Sequence, residues 1–332
     1  MKLNAPYKEI PSIYAILNPY EDVQMIRINK VFLGVGDANQ MAKVSDSINY
    51  QPDEITVTLK NSNNSKVIVF SESSVTTSEG SFNTNQRVYV TSEKLETTGT
   101  YTLIVKNTHT GNVFTASAAV IPSVAANQGY GPLSPPYAPY APGVTVGRIN
   151  YTANNPTVSV GSVLFQPVDK GKIYEVIIRS HFYNDYLTPV KSDDYVDYVF
   201  NDPRTIRTIS GVNYINVTFR SGDYFNNLGL ALSQKKLDDV GRKMYLMEFI
   251  VYASTQEYLD YIEFSKPSLS LNQNKPLYSN FDKGAALGIF TFRSTCLVQK
   301  ELDPVFINAF SSNSNTCHYY FLNYSDKIDG CK

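Results

Sequence analysis

The chain has 332 residues, 42% of them apolar and 18% charged, with a net charge of −1. So neutral a balance offers no basic field to draw in nucleic acid or anionic lipid, and no apolar run reaches the roughly 18–20 residues a membrane-spanning helix needs. With 25 tyrosines, no tryptophan and short Val/Ile/Thr segments punctuated by Asn, Ser, Gly and Pro, the composition points to a mainly β extracytoplasmic protein.

Residues 1–123 read as a β-sandwich domain, with strands expected at Ile10–Leu17, Val23–Phe32, Ile55–Lys60, Lys66–Phe70, Arg87–Thr91, Tyr101–Lys106 and Val113–Ile121. In Ile55-Thr56-Val57-Thr58-Leu59-Lys60 the apolar side chains fall on one face and the polar ones on the other, as a sheet with one solvated side requires. This density of short strands suggests an immunoglobulin-like sandwich. Asn107-Thr108-His109-Thr110-Gly111 has the residues of a hairpin loop, with Gly111 free to take positive φ. Asp37-Ala38-Asn39-Gln40 has the spacing of a capping box and predicts a short helix through Val44.

Residues 124–143 are rich in Pro, Gly and Tyr and form a linker, because closely spaced prolines exclude both helix and central strand. Polyproline II has three residues per turn, so Tyr137 and Tyr140 would share one edge. That edge is a candidate partner-binding strip; the alternative is a stiff spacer whose tyrosines rest on the protein's own domains.

The remainder, 144–332, reads as a second β-rich domain with a few packed helices. Strands are expected at Ile173–Phe182, Tyr195–Phe200, Tyr214–Phe219 and Lys243–Ala253, and helices at Tyr224–Lys236, Thr255–Phe264 and Leu302–Phe310. In the first of these helices Phe225, Leu228, Leu232 and Lys236 share a face, with Asp223 as its expected N-cap. Cys317 and Cys331 bracket the strand-like His318–Tyr324, where a disulfide would be worth about 3 kcal/mol by loop-closure entropy. Two unpaired thiols are the alternative, and Cys296 is the odd cysteine, expected to be buried.

Catalytic and cofactor signatures are lacking. The 3 histidines, His109, His181 and His318, have no zinc spacing, and there is no nucleophile elbow, dinucleotide-binding turn or P-loop. No metal, cofactor or catalytic residue is assigned. The acidic run Asp193-Asp194-Tyr195-Val196-Asp197 could offer oxygens to calcium but matches no EF-hand, and a solvated strand end is its default reading.

Asn4-Ala5-Pro6-Tyr7-Lys8-Glu9-Ile10-Pro11-Ser12-Ile13-Tyr14, Ile26–Gly34, Gly99–Val105 with Thr110-Gly111, Gly222-Asp223-Tyr224-Phe225 and Tyr278–Phe290 together resemble a domain-of-unknown-function family of Bacteroidota outer-membrane lipoproteins. The resemblance spans most of the chain and implies a lipid anchor on a cysteine upstream of Met1, which is then expected to be a replacement start. It carries over no catalytic residues. It implies a non-enzymatic accessory or binding subunit of an outer-membrane complex, partnered by a β-barrel transporter, export or assembly protein. The alternative function is a glycan-binding module that uses exposed tyrosines as stacking platforms.

Overall fold

The computed structural model describes residues 9–31, 48–64, 66–76, 85–124, 145–146, 159–201, 206–209, 212–235, 237, 241–265, 277–302, 304–329 and 331. The expected helix at 37–44 and the linker, with Tyr137 and Tyr140, lie outside them.

The protein is mainly β. In chain order the strands are β1 (Pro11–Leu17), β2 (Gln24–Lys30), β3 (Ile55–Asn61), β4 (Val67–Thr76), β5 (Asn85–Thr91), β6 (Thr100–Asn107), β7 (Val113–Ala119), β8 (Thr145–Val146), β9 (Ser159–Phe165), β10 (Ile173–Asn184), β11 (Ser192–Asn201), β12 (Ile206–Ile209), β13 (Val212–Arg220), β14 (Lys243–Ser254) and β15 (Leu287–Glu301). The helices are α1 (Ser221–Ser233), α2 (Gln256–Ser265) and α3 (Pro304–Ser312).

Two units emerge. Unit 1 comprises Met1–Pro122, Asp169–Ile173 and Ser254–Ser294, and unit 2 comprises Ser123–Val168, Tyr174–Ala253 and Thr295–Lys332. The end of unit 1's first segment falls beside the boundary expected at 123. However, Ser254–Ser294 also joins unit 1, although the sequence places it inside the second domain. The reason is a pairing without a local signal: the start of β15 runs parallel to β1, with Ser12 opposite Leu287 and Leu17 opposite Phe292.

In unit 1, β1, β2 and β5 pair in that order, and β4 joins β5 through Ser71–Thr76. Its earlier part, Val67–Phe70, pairs instead with β3, which leads on to β6 and β7. Strand alternation supplies the core: Ile13, Ala15 and Leu17 from β1, Ile26 and Ile28 from β2, Val57 and Leu59 from β3, and Leu103 and Val105 from β6 are all buried together. The expected hairpin turn forms. Asn107 Oδ1 accepts from the backbone N–H groups of His109 and Thr110, and Gly111 has φ +77°.

Unit 2 holds the order β11-β10-β14-β15 and a smaller sheet, β12-β13-β9-β8. α1 buries Tyr224, Phe225, Leu228 and Leu232, and Phe306 and Phe310 of α3 join its aromatic cluster. The expected Asp223 cap is corrected. The helix starts earlier, Arg220 occupies the N-cap without a side-chain bond, and Asp223 lies in the first turn, where its charge suits the helix dipole.

Cys317 and Cys331 form a disulfide with Cα atoms 5.1 Å apart. The intervening segment is not the expected strand: a 3₁₀ turn at Cys317–Tyr319 ends on Tyr320 at φ 57°, and only isolated bridges follow at Phe321 and Leu322. Arg242, almost wholly buried, ties this segment down by donating from Nη1 to the Tyr319 carbonyl and from Nε to Asn184 Oδ1. Cys296 is buried, which pushes its thiol up to about 11 and leaves it unreactive at neutral pH.

Candidate functional site

Two places gather side chains able to recognise another molecule, one in each unit. In unit 2, the alternation of β10 sends Tyr174, Val176, Ile178, Ser180 and Phe182 inward and Arg179, His181 and Tyr183 to the opposite face. Antiparallel register then sets Arg179 opposite Asp197, His181 opposite Tyr195 and Tyr183 opposite Asp193.

Two of these pairs are in side-chain contact, Arg179 with Asp197 and His181 with Tyr195, whose rings lie 5.7 Å apart. Arg179 makes a two-pronged bond to Asp197 at 2.9 and 3.0 Å, and its guanidinium lies 4.0 Å over the Tyr195 ring. Tyr183 stacks on Tyr245 of β14 with centroids 4.1 Å apart and planes 11° apart. The Tyr245 hydroxyl donates to Asp193 Oδ1 at 2.7 Å. Burial, followed by the hydrogen bond and charge of Asp193, raises the Tyr245 pKa and keeps the phenol neutral.

Tyr245 and Glu248 both reach His181, although regular alternation would place residues three apart on opposite faces. Met244 and Met247, also three apart, are both buried, so β14 changes face parity between them. His181 Nε2 is 3.0 Å from Glu248 Oε2 but not aligned for a hydrogen bond, so this is a close polar contact. Burial raises the Glu248 pKa, but the hydrogen bond from Gln299, the close His181 ring and the charge of Arg179 outweigh it and hold the carboxyl below its ordinary value. Lys191 extends the surface, 4.0 Å over the Tyr186 ring.

The acidic run expected as a possible calcium ligand set is dispersed by this architecture. Asp193 is bound by Tyr245, Asp194 by Lys235 and Asp197 by Arg179. Among the described residues, the close grouping of metal-type ligand atoms is Cys317, His318 and Cys331, and both thiols there are consumed by the disulfide.

The unit 1 site is a pocket of about 310 Å³ lined by Ser12, Tyr14, Arg27, Asn29 and Tyr261. Ser12 and Tyr14 alternate outward on β1, and their antiparallel partners are Asn29 and Arg27. α2 supplies the fifth residue, its Tyr261 ring lying 5.8 Å from that of Tyr14. Asn29 Oδ1 accepts from Arg27 Nε at 2.7 Å, while Asn29 Nδ2 is held by the Ile48 carbonyl and Asn49 Oδ1. Tyr14 is pushed up to about 12, first by burial and then by Tyr258 and Tyr261, so its hydroxyl stays protonated.

The sequence reading did not single out these five residues. Alternation shows that Ser12/Tyr14 and Arg27/Asn29 face away from the core, and the i, i+3 spacing of Tyr258 and Tyr261 marks a helix face. Among the described residues no helix is long and apolar enough to cross a membrane. Comparison with protein-family models finds no match to this chain, and comparison with curated proteins finds none either.

Proposed function

We propose that this chain is a non-enzymatic lipoprotein of the outer membrane, an accessory subunit that docks an outer-membrane β-barrel protein through the tyrosine–cation face of unit 2. The observation that carries this reading is the face itself. Tyr183, Tyr245, Tyr186 and Tyr195 are partly exposed and interleaved with Arg179 and Lys191, and interfaces are enriched in tyrosine and arginine for their large, rigid contact area. Internal pairing supports the non-enzymatic part, because Asp193, Asp194 and Asp197 are each engaged by a neighbour rather than poised for acid–base work.

Unit 1 is read as the immunoglobulin-like scaffold of such a protein. Its pairing orders β1-β2-β5-β4 and β4-β3-β6-β7 support this, with β4 passing from one group to the other. So does Tyr101 near the start of β6, whose hydroxyl accepts from the Glu96 backbone N–H at 2.7 Å in the manner of a tyrosine corner.

The test is affinity purification of the tagged, lipid-anchored protein from native membranes in mild detergent, compared with a Tyr183→Ala/Tyr245→Ala variant. A β-barrel protein enriched with the wild type and depleted with the variant is the expected result. Failure to enrich any barrel, or equal recovery with both proteins, would overturn the proposal.

A further inference from the structure

The pocket of unit 1 combines three features that a sugar-binding site needs. Its wall is aromatic, and the row continues past the pocket, with Tyr278 5.9 Å from Tyr261 and Phe264 5.9 Å from Tyr278. Aromatic faces of this kind take the apolar C–H face of a pyranose ring. Its floor is polar, built from the Ser12 hydroxyl, the Asn29 amide and the Arg27 guanidinium. Its volume, about 310 Å³, lies at the small end of ligand sites and suits one ring rather than an extended chain.

The charge of the lining narrows the ligand class. Arg27 is the one ionic residue among the five described residues that line the pocket. Asn29 fixes Arg27 through Nε, and among the described residues its Nη groups have no further partner. A planar guanidinium held at one nitrogen, with the others open to the pocket, is a ready receptor for a carboxylate. The phenol of Tyr14 and the hydroxyl of Ser12 remain to bond ring hydroxyls.

We propose that Ser12, Tyr14, Arg27, Asn29 and Tyr261 form a binding site for one carboxylated sugar residue of a glycan, of the uronic or sialic acid class. The ring lies against the Tyr14–Tyr261 wall, and its carboxylate meets Arg27. Asn29 is a positioning residue that aims the guanidinium. This site is separate from the barrel-docking face, and either can fail without the other.

The experiment is titration of the full chain by calorimetry and ligand-observed NMR with trigalacturonate, a hyaluronan tetrasaccharide and 3′-sialyllactose. The methyl ester of trigalacturonate keeps the rings and removes the charge. Binding of at least one acidic saccharide is expected below about 1 mM. The corresponding methyl ester should bind at least about tenfold more weakly, as should Arg27→Gln and Tyr261→Ala proteins toward the acid. Arg27 lies on the exposed face of β2, so the Arg27→Gln protein should keep the wild-type circular dichroism and melting curve. Arg27→Lys keeps the charge but loses the fork, and should fall between the two. Absence of binding to all three acids at about 1 mM, equal affinity for acid and methyl ester, or an unchanged Arg27→Gln titration would each overturn the proposal.

Discussion

Replacing Gly288 by alanine should be among the most damaging small changes in unit 1. Gly288 has φ +106°, and a Cβ built there would lie 2.0 Å from the Ile13 carbonyl oxygen and 2.9 Å from its carbonyl carbon. Both atoms are backbone, and Ile13 is the register partner of Gly288 in the parallel β1–β15 pair, so relief requires the strands to separate. The left-handed backbone costs a β-carbon about 1–2 kcal/mol, and forced displacement in a packed core about 1–3 kcal/mol, for a total near 2–5 kcal/mol. In a unit of this size that lowers Tm by about 4–20 °C. Gly284 provides the control. It also has positive φ, +60°, but a Cβ there meets nothing within 4 Å, so Gly284→Ala should cost only the conformational part. Thermal and urea unfolding of both variants, followed by circular dichroism, makes the comparison. If Gly288→Ala melts no lower than Gly284→Ala, the backbone clash with Ile13 is not a constraint and the reasoning fails. Because Ile13 lies between Ser12 and Tyr14, the same displacement should also weaken any ligand held in the pocket they line.

Breaking the Cys317–Cys331 disulfide by Cys331→Ser should cost about 3 kcal/mol for a sequence separation of 14, and reductant should then leave the variant's melting temperature unmoved while lowering that of the wild type. Burial raises the Glu9 pKa, but hydrogen bonds from Asn112, Asn107 and Thr110 outweigh it and hold the carboxyl below its ordinary value of 4.5. A depressed carboxyl stabilises the fold above its unfolded pKa, so this contribution should be intact at neutral pH and lost as pH falls below about 4.5, a dependence that Glu9→Gln should flatten in melts run across that range. Tyr224→Phe removes the hydroxyl bonded at 2.6 Å to Ser180, which is fully buried, and should cost about 1–3 kcal/mol in urea unfolding, with the double variant Tyr224→Phe/Ser180→Ala recovering part of the loss.

Local chemistry determined a large share of the elements. β3 alternates strictly and buries Ile55, Val57 and Leu59; the Asn107–Gly111 turn carries its own capping amide and its own positive-φ glycine; α1 buries the stripe of Phe225, Leu228 and Leu232. These features need only nearest neighbours along the chain, and a period of 2 or 3.6 records them. β15 is different. Ile289, Phe290, Thr291 and Phe292 are all fully buried, so both faces are covered and no alternation marks the strand. Its parallel partner β1 lies more than 270 residues away in sequence, as the register of Ser12 with Leu287 shows, and nothing local encodes that pairing. The same distinction governs the candidate sites. That Ser12, Tyr14, Arg27 and Asn29 face away from the core is readable in two short stretches of sequence. That Tyr14 stands opposite Arg27, that α2 brings Tyr261 to them, and that a change of parity in β14 carries both Tyr245 and Glu248 to His181 depend on register and packing, which only the tertiary structure decided. A one-residue slip of a strand would turn its side chains to the other face, so the grouping of those on β1, β2, β10 and β14 depends on register between paired strands and not on any single segment.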